Sequence, residues 1–156
     1  MKKNAIATLS GGFTLPEVIV AVAFFTILFG LVTINLLGSR KQIAQGANVD
    51  VAIADMKEQQ SKAMAGEGTM LTDYSIFLAS DKYVLFNGDT YNPNANTNFP
   101  VIIDPSVSIT NITFPGSIIV FTKGSGEILN FSQGQNSFKL GAKIITINKF
   151  GVINIQ

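Results

Sequence analysis

The sequence predicts an α+β protein, in which a long N-terminal helix with a transmembrane first half packs against a small antiparallel β-sheet head. Two observations predict this class. An uncharged apolar run of about 20 residues, at positions 18–37, lies near the N-terminus. From Tyr74 onward, short segments of alternating apolar and polar residues are separated by turns rich in Gly and Asn, a pattern typical of short strands.

The composition removes the usual residues of most catalytic sites. The 156 residues include no Cys and no His. The chain therefore lacks a thiolate nucleophile, a Cys-based zinc site, the commonest general base and the commonest transition-metal ligand. We do not expect an enzyme, and we predict no cofactor and no metal. The net charge of +1 is also far from the basic excess of a dedicated nucleic-acid binder.

The apolar run is long enough for a transmembrane helix, because about 20 residues at ~1.5 Å each cross the ~30 Å hydrocarbon core of a bilayer. A secretory signal peptide is the alternative, since Lys2 and Lys3 form a basic leader. The run is longer than the apolar region of a signal peptide, which has about 7 to 15 residues. A polar spacer at residues 4–12 also precedes it. We therefore prefer a single-pass anchor with the leader inside, although Arg40 and Lys41 follow the run.

One carboxylate, Glu17, lies at the start of the apolar run. A charge within an apolar membrane helix is costly, so Glu17 should either lie at the membrane interface or meet a cation. In the interfacial interpretation, the positive N-terminal end of the helix dipole stabilises the negative charge of Glu17, and Pro16 suits the first helical turn. The residues before Glu17 favour a cation partner instead.

The segment "SGGFTLPEV" resembles the class III leader of type IV pilins and pseudopilins. In that family a short basic leader ends in Gly, and a Glu lies at the fifth position of the mature chain. The resemblance implies that a prepilin peptidase cleaves between Gly12 and Phe13, and that Phe13 is N-methylated. It also implies that Glu17 meets the N-terminal amine of a neighbouring subunit. Pro16 stands where the family commonly has an aliphatic residue.

The helix is predicted to continue beyond the membrane, as one helix from about Phe13 to Met64. Apolar residues of its second half fall on one arc, and "AGEG" at 65–68 ends it. That arc comprises Val49, Ile53, Met56, Ala63 and Met64. The predicted organisation is a leader at 1–12, a transmembrane half at 13–38, a soluble continuation at 39–66 and a β-rich head at 67–156. Two separate helices broken at Gly38 are the alternative.

Four segments of the head predict strands. "KYVLFNGD" predicts a strand that enters an Asn-Gly turn, and "SVSITNITF" predicts a strand with a bulge at Asn111. "SIIVFTKGSGEILNF" predicts two strands around a Gly turn, and "KIITINKFGVINI" predicts a closing hairpin that turns near Gly151. This succession is similar to the heads of minor pseudopilins of the GspH/FimT type, which implies a pilin-like fold.

A polar loop, "NGDTYNPNANTNFP", separates two of these segments. Asp89 and the neighbouring Asn side chains offer oxygen ligands to Ca²⁺, and some pseudopilins bind Ca²⁺ in a loop. The Asn residues in question are Asn87, Asn92, Asn94 and Asn96. A single carboxylate without EF-hand spacing favours a solvated loop instead.

These observations predict a minor pilin or pseudopilin, a structural subunit that enters, initiates or tips a type IV pilus-like or type II secretion filament. Its expected partners are the prepilin peptidase, other pilin or pseudopilin subunits and the membrane. The expected location is the bacterial inner membrane, with a single pass and the head outside the cytoplasm. A plain membrane-anchored adhesive β domain is one alternative, and it would need neither Gly12 nor Glu17.

DNA capture by the head is the other alternative. Three lysines of the last strands have odd residue numbers, which would place them on one face, and they are candidates for a basic stripe. They are Lys139, Lys143 and Lys149. Isoleucines lie between them, and no Arg follows Arg40, so the head lacks the bidentate phosphate ligand. We therefore do not favour DNA as a partner.

Overall fold

The computed structural model describes residues 12–66 and 72–156, and the side chains of these ranges except those of 33–42 and 44. The predicted α+β class is confirmed: an apolar helical part near the N-terminus and a second helical part accompany two small antiparallel sheets. The chain divides into two units, Met1–Ser39 and Arg40–Gln156, and each is described by itself. Most of the predicted leader, residues 1–11, lies outside the described residues.

Helix α1 spans Leu15–Ala65, with bounds within two residues of the predicted ones. The helical backbone includes Gly38, and the boundary between the two units follows at Ser39. Gly66 has a φ of 65°, and this left-handed conformation ends the helix, as the Gly-rich segment predicts.

The first sheet has the strand order β3-β2-β1-β5, and the second has the order β4-β6-β7-β8. Within the described part of the chain the strands are β1 (Tyr74–Leu78), β2 (Lys82–Asn87), β3 (Phe99–Ile102), β4 (Ile109–Thr110), β5 (Ile118–Phe121), β6 (Ser137–Leu140), β7 (Lys143–Ile147) and β8 (Ile153–Ile155). All neighbouring strands are antiparallel. The strand predicted from "KYVLFNGD" is β2, and the predicted closing hairpin is β7–β8, with Gly151 in its turn.

Two strand predictions are wrong in detail. No bulge forms at Asn111, because β4 ends at Thr110 and Asn111 has a φ of 50°, which takes the chain out of the extended conformation. No full strand follows the Gly turn after β5, where only Ile128 bridges to Phe121. The Ile128 N–H donates to the Lys149 carbonyl at 2.9 Å, so the chain there is bound to the β7–β8 turn.

The core of the second unit is built from the later part of α1 and residues of both sheets. The buried side chains of α1 recur every three or four positions, which places them on one helical face. They are Val49, Ala52, Met56, Gln59 and Ala63. Val49, Met56 and Ala63 of the predicted arc are therefore confirmed as buried, whereas Met64 is 55% exposed. Phe121 and Phe138 are among the largest side chains of this core.

The end of α1 is bound to two turns by a feature that we call the glutamine clamp. It comprises Gln60 and the turns at 123–126 and 148–151. The Gln60 side-chain Nε2 donates to the Gly126 carbonyl at 3.0 Å and to the Phe150 carbonyl at 2.8 Å. Gly126 has a φ of 66°, and a Cβ on it would lie 2.5 Å from Met64 Cγ. The clamp therefore requires glycine at this point of the turn.

A second contact joins the helix to the first sheet. Tyr83, on β2, is 1% exposed, and its hydroxyl donates to Asp55 Oδ2 on α1 at 2.5 Å. Burial raises the pKa of the Tyr83 hydroxyl well above its usual value, and the hydrogen bond to Asp55 and the negative charge of Asp55 raise this pKa further by smaller amounts. The phenol is therefore held in its protonated, donating form.

We expect Tyr83→Phe to lower the free energy of unfolding by about 1–3 kcal/mol, because Asp55 loses its donor in a half-buried position. Tm, followed by circular dichroism, should fall by several degrees. The parent should lose stability as pH rises above about 10, where the unfolded tyrosine ionises, because the folded pKa is the higher one. The variant should lose less over that range. Tyr91→Phe, which keeps the ring stacked on Phe77, is the control, and equal Tm changes in both variants would contradict the assignment.

Candidate functional site

The Gly12–Phe13 junction lies directly ahead of α1 and is accessible. Phe13 is 83% exposed. A Cβ on Gly12 would meet nothing within 4 Å among the described residues. No described side chain therefore covers the backbone at Gly12.

The first turn of α1 contains a capping interaction that sequence analysis missed. The Thr14 N–H donates to Glu17 Oε2 at 3.4 Å, and the Thr14 carbonyl accepts the Val18 N–H at 3.2 Å. Thr14 is thus the N-cap residue, and Glu17, the third residue of the helix, reaches back to it as in a capping box. The sequence signal for this cap was the pattern Thr-x-x-Glu, with Thr at position 14 and Glu at position 17. Pro16 occupies the second helical position, which needs no N–H donor.

This cap is one long hydrogen bond, so it leaves the Glu17 carboxylate most of its capacity to accept hydrogen bonds. The side chain is exposed, and a carboxylate has about four lone-pair sites. One long bond to Thr14 leaves the others for a further donor. The charge also lies at the positive end of the helix dipole, so the cap accounts for the acid in the isolated chain, and a cation partner remains compatible with it.

The apolar helical part meets the length requirement of a membrane span. Leu15–Val32 comprises 18 residues, none of them buried, and at ~1.5 Å per residue it is about 27 Å long. Its hydroxyl group at Thr26 donates to the Val22 carbonyl at 2.8 Å, which satisfies that donor without water. The chain therefore has a candidate membrane-spanning helix near its N-terminus, although a signal sequence has the same properties.

The loop around Asp89 uses its polar groups for its own turns. The Thr90 hydroxyl donates to Asp89 Oδ1 at 3.0 Å, and the Asn94 N–H donates to Asn92 Oδ1 at 3.0 Å. The Asn98 side-chain Nδ2 donates to the Asn92 carbonyl at 2.8 Å. Over residues 12–66 and 72–156, no group of three or more His, Cys, Asp or Glu residues is placed to hold a metal ion.

The three candidate lysines do not form a stripe. Leu140 pairs with Lys143, and Lys139 pairs with Ile144. Paired residues share a face while successive residues alternate, so Lys139 and Lys143 lie on opposite faces of the sheet. The prediction that these odd-numbered lysines share a face is wrong. The two-residue turn between β6 and β7 pairs odd-numbered residues of one strand with even-numbered residues of the other. Lys149 lies 3.9 Å from Glu127, beyond the end of β7.

Comparison of the chain with protein-family models, with curated proteins and with solved structures found no match. The resemblance to pilins and pseudopilins therefore depends on the residues themselves: the junction at Gly12 and Phe13, the acid at Glu17 and the apolar helix that follows.

Proposed function

We propose that the chain is a minor pilin or pseudopilin, a membrane-anchored structural subunit of a type IV pilus-like or type II secretion filament. One observation carries the proposal. Glu17 is the third residue of α1, and its side chain accepts a hydrogen bond from the Thr14 N–H. It follows an exposed Gly12–Phe13 junction and lies at the start of an apolar helix that is not buried. A plain membrane anchor needs no such succession.

The chemistry of the proposal follows from cleavage at that junction. Removal of the leader gives Phe13 a free amine, which stays protonatable after methylation. In a bundle of apolar helices, an ammonium and a carboxylate are each costly alone and are tolerated as a hydrogen-bonded pair. The spare acceptor capacity of Glu17 suits the amine of a neighbouring subunit. The pair would set the axial register between subunits.

The finer parts of the proposal are the GspH/FimT type of head, the prepilin peptidase and other pilins as partners, and the bacterial inner membrane as the site of insertion, with the head outside the cytoplasm. The two-sheet head supports the β-rich class of pseudopilin head. We leave the DNA-capture alternative out of the proposal, because Lys139 and Lys143 lie on opposite faces of the second sheet and Lys149 lies beyond the end of β7.

The mature N-terminus tests the proposal most directly. We expect mass spectrometry of the protein, purified from membranes of cells that carry a prepilin peptidase, to find a chain that begins at N-methylated Phe13. Cells without the peptidase serve as the control and should yield the intact leader. An intact leader in both strains would favour the adhesive anchor, and an N-terminus beyond the apolar helix would identify a signal peptide; either result overturns the proposal.

A further inference from the structure

A pocket of about 410 Å³ lies between the later part of α1 and the first sheet. The residues of α1 that line it are spaced by three and four positions, which places them on one side of the helix. They are Asp55, Glu58, Gln59 and Lys62. Leu85 and Phe99, which pair directly across β2 and β3, form part of the opposite wall. All of these residues belong to the second unit, so the pocket is separate from the candidate site at residues 12–17.

Gln59 brings an unpartnered polar group to this pocket. The residue is 4% exposed, and its side-chain Oε1 meets no hydrogen-bond donor in residues 12–66 and 72–156. Buried polar atoms in native proteins are nearly always hydrogen-bonded, so a donor from outside the described chain is expected. The terminal torsion of a glutamine side chain is broad, which lets the amide oxygen turn towards a ligand in the pocket.

The charges of the lining favour a cation. Glu58 Oε1 lies 2.6 Å from Lys62 Nζ, so this pair is neutral as a whole. Asp55 accepts a hydrogen bond from the neutral hydroxyl of Tyr83, which does not cancel the Asp55 charge. A carboxylate has about four lone-pair sites, so Asp55 can accept further hydrogen bonds. The lining therefore suits a ligand that is both positively charged and rich in donors.

The wall opposite α1 adds an apolar surface. Phe99 lines the pocket and is 63% exposed, so its ring offers surface that a ligand can cover. Alkyl stems pack on such a surface, and a guanidinium stacks on aromatic rings. A flat cation on an alkyl stem, which is the arginine side chain, combines these properties. A bare metal ion suits the pocket less well, because within residues 12–66 and 72–156 no group of three or more His, Cys, Asp or Glu residues is placed to hold one.

We propose that this pocket binds the guanidinium group of an arginine side chain. A guanidinium has five N–H donors in a planar fork, so it can donate to Asp55 and to Gln59 Oε1 while its stem lies along Phe99. Glu58 keeps Lys62 as its partner, and the Lys62 ammonium competes with the ligand through its charge. The inference does not depend on the proposed filament function.

The arginine belongs to another molecule. The chain's only arginine is Arg40, which lies on α1 fifteen residues before Asp55. At ~1.5 Å per residue the two positions are about 22 Å apart along the helix, which is farther than an arginine side chain reaches. An arginine within a polypeptide and free L-arginine present the same guanidinium group, so both sources are tested.

Binding of a blocked arginine tests the pocket. The probe is N-acetyl-L-arginine N-methylamide, added to the full-length protein in uncharged detergent micelles and followed by saturation-transfer NMR. The matched control is the citrulline analogue, which has nearly the same shape and no charge. We expect the arginine probe to bind about tenfold more tightly, because charge-assisted hydrogen bonds are roughly twice as strong as neutral ones. Equal binding of the two probes would overturn the proposal. Tighter binding of the blocked probe than of free L-arginine identifies a polypeptide source, and the reverse order identifies the free amino acid.

Lys62→Met should tighten binding of the arginine probe several-fold, because it removes the competing ammonium. Lys57→Met is the control, since it removes the same charge from an exposed position of α1 outside the pocket lining. Damage to the pocket would weaken binding, so tightening confined to Lys62→Met is a result that a merely structural role does not give. Equal tightening in both variants would reveal unspecific attraction and contradict binding in this pocket.

Gln59→Met replaces the amide by an apolar side chain of similar length. We expect Tm to stay the same or rise, because the variant removes a buried oxygen that has no donor. The arginine probe should bind about tenfold less tightly, because one of its acceptors is lost. Weaker binding at full stability separates contact with the ligand from a role in folding. Undiminished binding at an unchanged Tm would show that Gln59 does not contact the guanidinium group, and the proposal would fail.

Discussion

A Glu17→Val subunit should be cleaved and inserted like the parent and yet be nearly absent from filaments. The apolar run only becomes more apolar, so membrane insertion is retained. In the assembled bundle, however, the Phe13 ammonium of a neighbour would be buried without its partner. Such a loss costs several kcal/mol, and association weakens about tenfold per ~1.4 kcal/mol. Recovery of the tagged subunit in sheared filaments, relative to its amount in membranes, measures the effect.

The Thr14–Glu17 cap makes two further variants necessary. Glu17→Gln keeps an oxygen that can accept the Thr14 N–H but removes the charge, whereas Glu17→Asp keeps the charge on a shorter side chain. If the ion pair matters, Gln should fail like Val, and Asp should be recovered in part. If the acid serves only to cap the helix, Gln should restore recovery. Recovery of all three variants at the parent level would show that Glu17 does not register subunits.

Gly12→Val should leave the leader attached. A Cβ on Gly12 meets nothing within 4 Å among residues 12–66 and 72–156, so the substitution should not disturb the described fold. If the proposed function holds, a prepilin peptidase has to enclose the backbone between Gly12 and Phe13 closely, and a β-branched side chain would obstruct that approach. The unprocessed form should therefore dominate in mass spectra of membrane extracts, and Gly12→Ala, with the smallest added group, should be cleaved to an intermediate extent. Complete processing of Gly12→Val would contradict a class III junction at this position.

The sequence predicted elements whose signals are local, and it missed those that depend on distant partners. The start of α1 was predicted from the apolar run and the junction that the resemblance places before Phe13, and its end from the Gly-rich segment at 65–68. The β7–β8 hairpin was predicted from alternation around Gly151. The strand predicted after the Gly turn is shorter than expected: Ile128 bridges to Phe121, and Asn130, with a φ of 52°, takes the chain out of the extended conformation. The bond from the Ile128 N–H to the Lys149 carbonyl is a distant contact that no local pattern encodes. Burial of Gln59 on the core face of α1 was missed for a different reason, because a polar residue carries no apolar signal.

The same distinction applies to the candidate site. Gly12, Phe13 and Glu17 lie within a short segment, so their spacing could be read from the sequence, and Thr14 was missed although its signal was equally local. The predicted lysine stripe depended on how β6 and β7 pair. Odd and even residue numbers predict which side chains share a face only within one strand, because the turn between two strands sets how their residues pair. The pocket beside Gln59 depends on how α1 packs against the first sheet, which the strand signals alone do not determine.

The glutamine clamp has a consequence for the order of folding events. Its two hydrogen bonds join residues that are 66 and 90 positions apart in the chain, so the loops that they close are long and entropically costly. Helical turns and the β7–β8 hairpin involve near neighbours and form without waiting for such closure. The clamp should therefore close after the transition state, and contacts of that kind slow unfolding without speeding folding. We therefore expect the Gln60 side-chain amide to act mainly on the lifetime of the native head.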